Sequence, residues 1–190
     1  MSTELLYAAA VGCLVAFGVL GSFDGVYFHL MKFRLHEHAE ALVEHLLHAL
    51  RGVCFTPIAY LFYVIPSGGR LLWLGLAVVA ADLCVEVCDI LVEKKSREKL
   101  GGISPPESVV HVLATGARMA SLAFILATKP VSAFHWSSVS VLPEGLPILV
   151  RLGGWVMLVT SFVGACSHIL LLRGRRRVFR GAIGWRARES

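Results

Sequence analysis

An all-α fold is expected from this sequence: a polytopic membrane protein whose five helices cross the bilayer as one bundle. Three observations predict it. The 190 residues are 56% hydrophobic with a mean hydropathy of +0.72, well above the balance of a soluble domain. The apolar residues gather in five runs, about 4–28, 42–66, 70–93, 107–129 and 146–172, each near the roughly 20 residues a spanning helix needs. Basic residues fall in alternate connections, which is the pattern that orients membrane proteins.

The first run carries Glu4 and no Lys or Arg ahead of it, and it is too long for the apolar core of a signal peptide. It is read as a spanning helix. It ends in GSFDGVYFHLMKFRLHEH, where Asp24-Gly25 can cap or kink the helix. The second run starts polar, HEHAEALVEHLLHALRG, then turns apolar, with Pro57 inside it and Pro66 at its end. The short turn at Pro66-Ser-Gly-Gly makes runs two and three antiparallel neighbours. Run three closes on EKKSREKLGG, where Gly101 and Gly102 suit a left-handed C-terminal cap. Ser104-Pro-Pro-Glu107 reads as a capping box, with Ser at N-cap, Pro at the first helical position and Glu three residues on. Residues 130–146 form a polar loop with Trp136 as an interface anchor.

Lys32 and Arg34 lie between runs one and two, and Lys94, Lys95, Arg97 and Lys99 between runs three and four. Arg173, Arg175, Arg176, Arg177, Arg180, Arg186 and Arg188 follow run five. All three groups share one side, which is therefore cytoplasmic, with the N-terminus out and the C-terminus in. One bundle over 1–174 and a basic cytoplasmic tail over 175–190 follow. The tail supplies most of the net charge of +5 and pI of about 9.1. Membrane lipid headgroups, not nucleic acid, are its expected partner. A bacterial-type inner (plasma) membrane is the expected location. The five cysteines (Cys13, Cys54, Cys84, Cys88, Cys166) form no CxxC pair, so free thiols are expected.

Ten of the eleven histidines and aspartates fall near the cytoplasmic end of these runs; only His135 does not. Such groups cost several kcal/mol in hydrocarbon. Their return at one depth on every helix points to a buried metal site. Glu44, His45 and His48 share one side of run two, with Arg51 a turn deeper. Asp82, Glu86, Asp89 and Glu93, at steps of four, three and four, make an acidic stripe on run three that needs protons or cations to offset it. Glu107 and His111 lie four apart on run four, and Arg118 continues their face. Run five adds His168. Run one adds Asp24 and His29, although a five-residue step leaves these about 140° apart on a regular helix. His36 and His38 are weaker candidates in the connecting stretch.

This donor set suits two carboxylate-bridged ions better than one tetrahedral zinc, which takes four ligands. Oxygen and imidazole donors without thiolate favour iron, with zinc or manganese as alternatives. The expected ligands are Asp24, His29, Glu44, His45, His48, Asp82, Glu86, Asp89, Glu107, His111 and His168; Glu44, Arg51 and Arg118 are the candidate catalytic residues. The carboxylate–His pairs Glu44/His48 and Glu107/His111 are one residue wider than the Glu-x-x-His pairs of di-iron carboxylate bundles. The expected function is a di-iron oxidoreductase acting on a hydrophobic, lipid-like small molecule. A homodimer that seals the lipid-facing side is compatible with it. The alternatives are a zinc-dependent lipid hydrolase, a b-type haem subunit with histidine axial ligands, and an ion-coupled transporter. The haem reading leaves Asp82, Glu86 and Asp89 without a task. The transport reading finds no polar path through the outer halves of the runs.

Overall fold

The computed structural model describes residues 2–38, 41–98 and 102–174. The basic tail 175–190, Lys99 and Gly101 lie outside them, as does the side chain of His36. Five long helices make up the chain: α1 (Thr3–Phe23), α2 (Leu42–Ala59), α3 (Gly69–Ser96), α4 (Pro105–Ala127) and α5 (Ile148–Gly174). All five are long and apolar enough to cross a membrane. Large apolar side chains such as Val19, Leu74, Leu91, Val112, Leu149 and Leu170 are exposed around the bundle. A water-soluble bundle would turn these inward, so the outer surface suits lipid.

Two helices continue in a wider winding. Asp24–Lys32 prolongs α1 as a π-helix, and Tyr60–Val64 prolongs α2 likewise. Their i→i+5 bonds close with Phe33 N–H to Phe28 O at 2.9 Å and Ile65 N–H to Tyr60 O at 3.0 Å. Ser2 starts α1 by accepting from Leu5 N at 3.3 Å. Ser104 N and Oγ both donate to Glu107 Oε2 at 3.3 Å, the capping box expected from Ser104-Pro-Pro-Glu107. Beyond α3, Gly102 takes φ +81° and its N–H bonds Arg97 O at 2.9 Å. That left-handed residue is the C-terminal cap, and only glycine adopts it without strain.

Helix α4 lies along α1, and α1 touches α5 lightly; α5 and α3 both run along α2. The circle is loosest at one seam, because among the described residues the backbones of α3 and α4 pack little or not at all against each other. Long polar side chains bridge that seam instead.

The two ends are held differently. At one end Ser67 pairs with Val141, Gly68 N–H bonds Ser140 O, and Lys129 Nζ donates to Ser67 O at 2.7 Å. Burial pulls the Lys129 amine down to about 8. At the other end Lys32 Nζ reaches Ser104 Oγ at 3.3 Å, and the Arg97 guanidinium stacks 4.6 Å from the Phe33 ring. The apolar core, with Ala10, Leu14, Phe55, Ile58, Phe62, Leu72, Leu122 and Ile125, fills the first of these halves. Charged and imidazole side chains fill the second.

Candidate metal centre

Asp24 and His29 both face the interior, which a regular helix would not allow. The π-helical segment accounts for it: with i→i+5 bonding, residues five apart return to the same side. His29 Nε2 lies 3.6 Å from Asp24 Oδ2, and His29 is 3% exposed. Asp24 Oδ1 is 2.9 Å from His111 Nε2, which ties the end of α1 to α4. From α2, the His48 ring sits 4.3 Å from that of His29, and His48 Nε2 is 3.6 Å from Asp89 Oδ2. His111 Nδ1 lies 3.7 Å from Glu93 Oε2, so α3 closes the circle.

Two ligand groups emerge, and they share a member. The donor atoms of Asp24, His29, Glu107 and His111 lie within 4.8 Å of one another, as do those of His29, Glu44 and His48. Ligands held about 2.1 Å from one ion stand roughly 3.0–3.4 Å from their neighbours. The separations of 3.6 and 3.7 Å around His29, His48 and His111 are near that spacing and too long for hydrogen bonds. Correspondingly, His29 Nε2, His48 Nε2, Asp89 Oδ1 and Glu93 Oε1 are buried without a hydrogen-bond partner. Each such group costs about 1–3 kcal/mol. A cation among them would remove that cost.

Charge points the same way. Seven acidic side chains, Asp24, Glu44, Asp82, Glu86, Asp89, Glu93 and Glu107, meet three guanidinium groups, Arg51, Arg97 and Arg118, in this half of the bundle. Acidic groups outnumber guanidinium groups by four.

The guanidinium groups divide the acids among themselves. Arg118, 3% exposed, bonds Asp82 through NH1 and Glu86 through NH2 at 2.5 Å. Arg51 NH2 adds a bond to the same Glu86 at 3.1 Å, and Thr115 Oγ1 donates to it as well. Asp82 and Glu86 belong to neither ligand group, and are held by Arg118 across the α3/α4 seam and by Arg51 from α2. Arg51 also approaches Asp89 at 3.7 Å, linking that network to the centre. His45 and His168 pair with each other, Nε2 to Nδ1, at 3.3 Å, outside both groups.

Arg97 alters the picture most. Its position between runs three and four placed it among the cytoplasmic loop charges, yet it is fully buried. Its Nε and NH2 bond Glu44 at 2.9 and 2.7 Å, NH1 lies 3.0 Å from Glu107 Oε1, and NH2 lies 3.6 Å from Glu93. Burial opposes the charge, but the Glu44 bonds and the three carboxylates hold the guanidinium pKa above its usual value. Ser96 Oγ, beside it, also donates to Glu44. The signal was in the numbering: 97 extends the 82-86-89-93 stripe by another step of four. Glu93, the last acid of that stripe, is 5% exposed and lies between Arg97 and His111.

Cys84 and Cys88 are exposed on the outer side of α3, and all five cysteines are free. His135 is exposed in the connection after α4, and His38 is half-buried in the stretch before α2. A separate cavity of about 470 Å³, lined by Tyr7, Val11, Gly12 and Val150 among others, opens between the starts of α1 and α5, far from the histidines.

The chain matches no family model, no curated protein and no solved structure.

Proposed function

We propose that this chain is an integral membrane metalloprotein that holds two divalent ions near the cytoplasmic face and acts as an oxidoreductase on a hydrophobic, lipid-like substrate. One observation carries the reading. Acidic side chains outnumber guanidinium groups by four around two contiguous ligand groups, in which His29 Nε2 and His48 Nε2 are buried without a hydrogen bond. Two divalent cations match that surplus. Asp24, His29, His111 and Glu107 would hold one ion; His48 and Glu44, with Asp89 close to His48, would hold the other. Imidazole and carboxylate donors favour iron over softer ions, with zinc or manganese as alternatives. Iron, once bound, supplies redox chemistry that side chains lack.

The remaining residues have separate tasks. Arg97 fixes Glu44 and Glu107 and keeps their charges from repelling. Arg51 and Arg118 hold Asp82 and Glu86, a counter-charge role next to the ions rather than one in their coordination. A lipid-like substrate is supported by the α3/α4 seam, where only side chains separate the centre from the surrounding lipid. The basic residues of alternate connections support a location of this half of the bundle at the cytoplasmic leaflet.

Metal analysis and visible absorption of the purified protein test the reading. The expected result is two equivalents of iron per chain and no Soret band. His29→Ala and His48→Ala should each leave one equivalent or less, whereas Glu86→Gln should keep both. A single haem per chain, or stoichiometric loss of metal in Glu86→Gln alone, would overturn the assignment.

A further inference from the structure

We propose that His45 and His168 form a separate, weaker divalent-cation site, the port through which ions reach the buried centre; this rests on the metalloprotein reading above. His45 Nε2 and His168 Nδ1 converge to 3.3 Å, and the backbone oxygen of His168 is also 3.3 Å from His45 Nε2. Two nitrogens bound to one tetrahedral ion at about 2.0–2.1 Å stand roughly 3.3–3.4 Å apart. The pair already has that edge length. Its rings meet at 65° with centroids 4.6 Å apart, so both donor atoms can turn toward a common ion.

Position gives the site its role. His45 is buried near the start of α2, but His168 is half-exposed on α5. Neither belongs to the two ligand groups of the centre. Inward from His168, the imidazoles continue as steps: His48 at 6.3 Å and then His29 at 4.3 Å, centroid to centroid. The outer donors are two imidazole nitrogens and a carbonyl, whereas the inner ones include carboxylates. Affinity for a divalent cation therefore rises along the row. An ion entering at His168 is held loosely, exchanges, and moves toward His48.

The probe is zinc alone, added to metal-free protein in detergent micelles and followed with a competing chelator. The wild type should take up two tight equivalents and one weak one. His168→Ala should lose the weak equivalent, retain both tight ones, and fill them at least about tenfold more slowly. His168→Gln, which keeps a polar side chain of similar length, should behave the same way; an unchanged melting temperature in either variant shows that folding is intact. Loading at the wild-type rate with unchanged stoichiometry in both variants would reduce the pair to an imidazole–imidazole hydrogen bond. Loss of tight zinc in both would make His168 part of the centre and overturn the port. A wild type with no tight zinc would overturn the metalloprotein reading itself, a different outcome from either.

Discussion

At the scale of single residues the centre is governed by which charges are already paired. Arg97 is in contact with three carboxylates while fully buried. Removing one partner of such a network generally costs about 3–5 kcal/mol, because the remaining charges stay buried and unpaired. Arg97→Met removes the guanidinium that contacts Glu44, Glu93 and Glu107 together. The metal-free variant should therefore melt well below the wild type. Added divalent metal should recover more stability in the variant than in the wild type, because it then replaces the missing positive charge. The double variant Arg97→Met with Glu44→Gln should recover part of the loss without metal. Thermal melting in detergent, with and without metal, measures all three. Equal melting of Arg97→Met and wild type in the metal-free state would show that Glu44, Glu93 and Glu107 are not charged together.

At the scale of elements the π-helical stretch Asp24–Lys32 is the decisive feature. It brings Asp24 and His29 to one side by winding five residues where an α-helix winds nearly four. This makes a two-sided prediction about chain length. Deleting Val26 leaves the two ligands four apart, a spacing an α-helix also places on one face, so metal content should be retained. Inserting an alanine after Val26 leaves them six apart, and neither an α-helical nor a π-helical winding brings both inward. That variant should lose at least one equivalent of metal while its helix content, read by circular dichroism, stays the same. Loss in the deletion and retention in the insertion would contradict the role assigned to the winding.

Across the whole molecule the bundle is divided along its axis: apolar packing holds one half and ion pairs hold the other. The apolar half tolerates little added volume where α5 crosses the end of α2. A Cβ at Gly154 would stand 2.6 Å from Tyr63 Cβ and 2.8 Å from its backbone carbon. Gly154→Ala should thus destabilise the fold by about 1–3 kcal/mol and lower the melting temperature. Its bound metal should be unchanged, since the crossing lies in the other half. Loss of metal together with stability would mean that the two halves are not independent.

Five helices and their order were legible from composition, because a spanning segment needs length and apolarity regardless of its neighbours. The caps at Gly102 and Ser104–Glu107 were legible for the same reason: their chemistry is local. The recurrence of histidine and acid at one depth was also written in the chain, since depth along a helix is counted in residues. Which of those groups meet was not. The π winding that turns His29 inward depends on hydrogen bonding over a whole segment. The burial of Arg97 depends on α2 and α4 presenting Glu44 and Glu107 to it. Which acid meets which guanidinium is set by distances between helices, and those exist only once the bundle has packed.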